Sequence, residues 1–180
     1  MADTKRPSKD QYYLNIAKEI GERSTCFRAK NGAIIVRDDQ IIATGYIGAP
    51  RKTKDCLERG NCLRDKLKIP HGERYELCRS VHAEQNAIIN AARAGVSLYG
   101  GALYLHSKDR EGNRVSTYPC YFCKRMIINA GIERVVCSEK EENNMRIFYV
   151  KDWVEEWREK DIVDDKYQYG EDQNQKEGLK

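Results

Sequence analysis

Apolar positions recur along this chain first at helical spacing and then at strand spacing. Tyr13, Ile16, Ala17 and Ile20 fall on one face of a 3.6-residue repeat, and Ser8 with Gln11 after Pro7 makes a capping-box pattern. A helix is therefore expected over residues 8–23. The runs Ala33–Val36 and Ile41–Thr44 flank the polar pair Asp38-Asp39 and predict an antiparallel hairpin. A second helix is expected from His82 to Ala94, with Ala87, Ile88, Ala91 and Ala92 on its apolar side and Gly95 as its stop. Ala102–Leu105 follows as a strand, and Lys108–Arg114, containing Gly112-Asn113, as a polar surface excursion. A third helix spans Cys120–Ala130 and closes at Gly131. Strands are expected at Arg134–Cys137 and Ile147–Val150. Asp152 and Glu155 then cap a short helix carrying Trp153 and Trp157, whose spacing suits core packing or a subunit contact better than base stacking.

Strands that alternate with helices in the second half imply parallel neighbours joined by right-handed crossovers. The fold class expected is α/β, one mixed sheet with helices on both faces. Residues 1–163 form one domain on this reading. Residues 164–180 are polar, acidic and poor in large apolar groups, so they are expected to be disordered. Residues 45–81 break the pattern. They hold three cysteines and few apolar runs, and a loop this long needs an organiser such as a bound metal or short helices.

Charge changes the picture in one respect. The net charge is +4, but residues 151–180 hold six Lys/Arg against ten Asp/Glu, so the body is basic and suits an anionic ligand. No apolar run approaches a membrane span, and MADTKRPSKD carries no apolar signal region, so a cytoplasmic protein without membrane partners is expected. Seven cysteines, an odd number, argue against a disulfide framework and towards metal binding or burial.

The candidate chemistry lies in Val81-His82-Ala83-Glu84 and Pro119-Cys120-Tyr121-Phe122-Cys123. Cys120 and Cys123, three apart at a helix start, direct both sulfurs to one side, where free N–H groups and the helix dipole favour thiolate. His82 adds an imidazole nitrogen. Three protein ligands leave a fourth tetrahedral position for water, the mark of a catalytic zinc. Glu84 stands close enough to His82 to enter the site without binding the metal. Each piece alone has a bland reading: C-x-x-C fits a redox pair or half a zinc ribbon, and a lone histidine at a helix start is usually a cap. Their joint order, H-x-E then P-C-x-x-C with each at a helix start, is the signature of zinc-dependent nucleobase deaminases.

With CFRAKNGAIIV (26–36), GYIGAP (45–50), CRSVHAEQNAI (78–88) and PCYFCKRMIINAG (119–131), the chain resembles the deoxycytidylate deaminases of the cytidine deaminase superfamily over about residues 10–137. The resemblance implies a three-layer α-β-α sandwich and the conversion of dCMP and water to dUMP and ammonia. His82, Cys120 and Cys123 would hold Zn2+, and Glu84 would move protons as the zinc-activated water attacks C4 of cytosine. It also implies a homo-oligomer and a free nucleotide, not a nucleic acid, as the partner. Arg51, Lys52 and Arg79 are candidate phosphate contacts, and Tyr46, Ala83, Asn86 and Tyr118 are further candidate substrate-binding residues. Two departures stand out: Ile47 replaces an asparagine common in the G-Y-N-G-x-P loop, and the 108–114 insertion precedes the zinc cysteines. Some viral members carry a second, structural zinc whose first two ligands match Cys26 and Cys56. Two of Cys62, Cys78 and His71 would complete that set. The rival functions are deamination of another base, such as adenosine in tRNA, and a non-catalytic zinc-binding module. The nine Lys/Arg of residues 51–79 would serve the first, and the presence of Glu84 opposes the second.

Overall fold

The structure is a computed structural model and describes residues 6–70 and 72–160. In chain order it contains α1 (Lys9–Gly21), β1 (Ala29–Arg37), β2 (Gln40–Tyr46), α2 (Leu63–Lys66) and a 3-10 turn (Tyr75–Leu77). Next come α3 (Ala83–Ala94), β3 (Ala102–Asp109), β4 (Arg114–Val115), α4 (Tyr121–Asn129), β5 (Arg134–Ser138), β6 (Met145–Tyr149) and α5 (Val150–Glu159). One mixed sheet has the order β2-β1-β3-β5-β6, with β4 paired to β3. Among the described residues only the β3–β5 pair is parallel, as the β3–α4–β5 crossover requires.

Period-2 alternation divides the strands between two dry faces. Ile34, Val36, Tyr104 and Val136 meet Tyr13, Leu14 and Ala17 of α1. Ala33, Ile35, Leu103, Leu105, Val135 and Cys137 meet Ala87 and Ala91 of α3 and Ile127 of α4. The three-layer α-β-α sandwich is thus present. Ser8 caps α1 by accepting a hydrogen bond from the Gln11 backbone N–H at 3.1 Å. In the β1–β2 turn, Asp38 and Asp39 both take left-handed φ values of 50° and 62°, as a tight two-residue hairpin demands. Lys9 Nζ, 2.6 Å from the Asp39 carboxylate, and Tyr13 Oη, which donates to it at 2.7 Å, tie that turn to α1.

Gly45 matters for the site. A Cβ there would lie 2.3 Å from the Ala83 carbonyl oxygen and 2.3 Å from the Ala87 nitrogen. Only glycine lets β2 approach the first turn of α3 this closely.

Some boundaries differ from the sequence expectation. Val150 opens α5 instead of ending the last strand, and Tyr149, not Asp152, occupies the N-cap. Val150 and Trp153 both enter the core, so burial on helical spacing wins over strand propensity. Trp157 is half-buried, with its ring 6.2 Å from that of Tyr121. The polar excursion is the tip of the β3–β4 hairpin, closed by Asn113 N–H donating to Asp109 Oδ1 at 2.8 Å. Within segment 46–81 the described residues form α2 and the 3-10 turn, one of the two organisers the sequence allowed. Among the described residues, no helix is long and apolar enough to cross a membrane. The acidic stretch 164–180 and His71 lie outside the described residues.

Candidate active site

Two helix N-termini converge at the C-terminal end of β3. His82 is the N-cap of α3 and Cys120 the N-cap of α4, with Cys123 in the first turn of α4. His82 Nδ1 lies 3.5 Å from each sulfur. Among the described residues this is the one group of three or more His, Cys, Asp or Glu side chains whose ligand atoms lie within 4.8 Å of one another. The donor set of one imidazole and two thiols, at the positive ends of two helices, fits a zinc ion with a position to spare. Gln85 Oε1 accepts from the His82 backbone N–H at 3.0 Å, which fixes the histidine's main chain.

The electrostatics agree with this chemistry. The hydrogen bond from Cys123 and then that with His82 overcome burial and bring the Cys120 thiol down to about 4. Cys123, facing that thiolate and buried, is pushed well up. The pair therefore shares one negative charge, and a cation would favour ionising both. Burial opposes a charged imidazole at His82, but the Cys120 hydrogen bond and the Glu84 charge prevail and raise it. Glu84 is 3% exposed, and burial raises its carboxyl above the ordinary range. A carboxyl raised in this way holds its proton more readily, which suits a group that both takes and returns protons.

His82, Glu84 and Cys120 line the floor of a cavity of about 470 Å³, of the size that holds a small ligand, with Cys123 buried behind them. Its walls include Arg28, Asn31, Ile47, Arg64, Tyr75 and Arg79, with Ser80, Ser107, Lys108, Thr117 and Tyr118. Of the candidate substrate residues, Arg79 and Tyr118 face this cavity. Arg79 also donates to the Asn61 carbonyl at 2.9 Å. Tyr46, Ala83 and Asn86 lie behind the wall: Asn86 Nδ2 donates to the Tyr46 carbonyl at 2.8 Å and Ala83 is buried. Arg51 donates to Asn90 Oδ1 at 2.6 Å and Lys52 is exposed, both outside the lining.

The insertion at 108–114 does reach the mouth. Lys108 and Asp109 line it, and Arg110 pairs with Asp65, which also accepts from Arg28 Nε at 2.7 Å. Cys26, Cys56, Cys62 and Cys78 are all free and all face the cavity. Burial raises the thiols of Cys26 and Cys56. As positioned, no three of these four thiols, among the described residues, bring their sulfurs within ligand distance of one another.

Sequence reasoning missed Asn31, Arg28, Arg64, Tyr75 and Ser80. Asn31 Oδ1 and Ser80 Oγ are buried without a hydrogen-bond partner, a costly state that a bound polar ligand or water relieves. Arg28 and Asn31 sit inside the stretch CFRAKNGAIIV, where two polar residues at a strand start were the available signal. Arg64 and Tyr75 had no local signal.

The family model of the cytidine and deoxycytidylate deaminase zinc-binding region matches residues 7–139. The chain is 38% identical over 137 residues to a deoxycytidylate deaminase of Mycobacterium phage D29, a match that covers 73% of this chain and 94% of that one. It is 34% identical over 135 residues to a deoxycytidylate deaminase of Schizosaccharomyces pombe, covering 73% of this chain but spanning only 37% of the yeast protein's length. The solved dCMP deaminase of cyanophage S-TIM5, in complex with dCMP and dUMP, aligns with a TM-score of 0.52 and 27% identity over 73% of this chain and 81% of that one. With a match across most of its length and the His-Cys-Cys cluster in place, this chain belongs to the family of the cytidine and deoxycytidylate deaminase zinc-binding region.

Proposed function

We propose that the chain hydrolyses the exocyclic amine of a free cytosine nucleotide, dCMP, giving dUMP and ammonia. The observation that carries this reading is the buried Glu84 beside the His82–Cys120–Cys123 cluster at the floor of a nucleotide-sized cavity. The phage and yeast relatives named for deoxycytidylate, and the S-TIM5 enzyme bound to dCMP and dUMP, support the substrate class.

His82, Cys120 and Cys123 would hold the zinc ion, which when bound would supply the Lewis acidity that yields a nucleophilic water at neutral pH. The chain's own residues do the rest. Glu84 takes a proton from the attacking water and delivers it to ring N3 as the C4–O bond forms. It then carries the second proton to the amine, which leaves as ammonia as the C4–N bond breaks. Asn31 Oδ1 and Ser80 Oγ are poised as acceptors and donors for the sugar or base. Arg28, Arg79 and Lys108 offer cationic contacts for a phosphate.

A polynucleotide substrate gains little from residues 51–79. Arg64 is buried, Arg74 pairs with Glu76 and Arg79 lines the cavity, so three of the nine cations are drawn away from a basic face. Turnover of a panel of dCMP, CMP, dCTP, deoxycytidine and tRNA tests the reading. Preference for dCMP supports it. Equal turnover of dCMP and deoxycytidine removes the phosphate contacts, and turnover of tRNA alone overturns the substrate.

The proposal extends to a homo-oligomer in the cytoplasm. Tyr12, Ile147 and Tyr149 are exposed, β6 is an open sheet edge, and all seven cysteines are free, as a reducing compartment allows. Sedimentation of the purified protein measures the assembly. A second, structural zinc is the companion reading of Cys26, Cys56, Cys62 and Cys78. It requires side-chain rotations that draw the sulfurs together, and it would tie segment 46–81 to β1 and α3. Metal analysis giving two zincs per chain, one of them lost in Cys56→Ala, supports it. One zinc per chain makes the four thiols packing residues.

A further inference from the structure

His82 and Gln85 form a capping box at the start of α3, with the imidazole turned towards the Gln85 backbone N–H. The His82 backbone N–H is held in turn by the Gln85 side chain, and the contacts of the imidazole with Cys120 and Cys123 are both made at Nδ1. A metal-binding histidine is ordinarily oriented by a second partner on the ring. Here the flank of the ring meets Tyr75. The two rings stand 4.9 Å apart at 84°, edge against face. Tyr75 comes from the 3-10 turn, and Arg74 before it takes a left-handed φ of 48°. Cys78 N–H closes the turn on the Tyr75 carbonyl at 2.9 Å.

Behind Tyr75 stands Arg64. It is 5% exposed, in no ion pair among the described residues, with its Nε unpartnered. Burying a guanidinium without a carboxylate is costly unless other contacts repay it. Two contacts are present. Its Cζ lies 4.8 Å over the Tyr75 ring, and Nη2 donates to the Pro70 carbonyl at 2.7 Å. Arg64, Tyr75 and His82 thus form one chain of contacts, cation over ring and then ring edge against ring face, that runs from the 46–81 segment to His82.

We infer that Tyr75 and Arg64 are positioning residues for the zinc-ligating His82: the tyrosine ring sets the plane of the imidazole, and the buried arginine pins the tyrosine. This rests on the reading that His82, Cys120 and Cys123 hold zinc. It gives the 46–81 segment a role in the metal site that does not depend on which nucleotide is the substrate.

The test is zinc affinity of the purified holoprotein, read by competition with a chelator, beside steady-state kinetics and a thermal melt. Tyr75→Leu keeps apolar bulk but loses the ring, and should weaken zinc by about 10–100-fold, the usual cost of removing a ligand's supporting partner. Its kcat should fall with KM little changed. Tyr75→Phe should restore wild-type affinity, because the ring contact needs no hydroxyl. Arg64→Lys should fall between, since an ammonium cannot both stack on the ring and reach Pro70 in a fixed fork. That variant carries the test should the leucine variant not fold. Wild-type zinc affinity in Tyr75→Leu with a raised KM would make Tyr75 a substrate wall and overturn the inference. Zinc retained by His82→Ala would overturn the site assignment beneath it, so the two failures are separable.

Discussion

His82, Glu84, Cys120 and Cys123 stand on helices packed against a five-strand path, whereas Arg64, Tyr75, Cys56 and Arg79 stand on a segment with one short helix and one 3-10 turn. The platform is held by dry burial. Leu103, Val135, Ile35 and Ala87 are fully buried on the face that carries the site. The cover is held by side chains reaching carbonyls, by the Arg28–Asp65–Arg110 cluster and by ring contacts, while its Leu57 and Leu67 remain exposed. Proton transfer needs positions kept within fractions of an ångström, which a close-packed platform provides. Recognition of a substrate tolerates variation, and polar surface contacts can be exchanged without unfolding the sheet.

The largest effect that would sharpen this contrast is chemical. Glu84→Gln should lower kcat by about 10²–10⁴-fold, the range for losing a general acid–base, while zinc content and melting stay as in the wild type. Turnover near the wild-type rate would remove Glu84 from the mechanism. Next comes packing. Leu103→Ala, in the platform, should cost about 2–5 kcal/mol of unfolding free energy, and Leu57→Ala, in the cover at 52% exposed, within about 0.5 kcal/mol. Denaturant melts that give equal losses would break the distinction between the two regions.

A pH effect should also belong to the platform. His106 on β3 is 4% exposed, and burial, with Arg114, Lys108 and Lys18 nearby and Glu22 opposing them, lowers its pKa to about 4. The unfolded chain takes up this proton near the ordinary value of about 6.5. Stability is therefore full above that pH, declines as pH falls through the window down to about 4, and levels off below it. His106→Gln should flatten this part of the acid slope in urea melts run between pH 7 and pH 4. An unchanged slope would assign the acid sensitivity elsewhere. The smallest effect is at the mouth. Asp65→Asn cuts the bridge between Arg28 and Arg110, yet these ion pairs are partly exposed, so the stability loss should stay under about 1 kcal/mol. A change in KM larger than the change in melting would mark this bridge as part of the entrance rather than of the scaffold.

Much of the platform was legible from residues alone. The capping serine, the Asp38-Asp39 turn, the alanine face of α3 and the Gly95 stop are local signals, and each element they predict is present. The His82–Cys120–Cys123 cluster was legible for a similar reason, because Cys120 and Cys123 need only helical spacing to face one side. The start of α5 was misplaced because Val150 and Tyr149 favour strand by propensity, and only the packing of Val150 and Trp153 in the core decides for helix.

What the sequence determined by itself, then, is whatever depends on neighbours within a few residues: the elements, the two motifs and the side chains each motif offers to a metal. The tertiary structure alone decided that Gly45 lets β2 press against α3, that Arg51 turns to Asn90 and away from the cavity, and that Asn31 is left with a buried, unpartnered oxygen. It alone brought Arg64 and Tyr75 behind His82. Those contacts join residues beyond the reach of one helical turn or strand pair, from seven to several tens of positions apart, and no local pattern encodes them. They form because closing the sheet and burying its two faces fixes where every distant side chain must go.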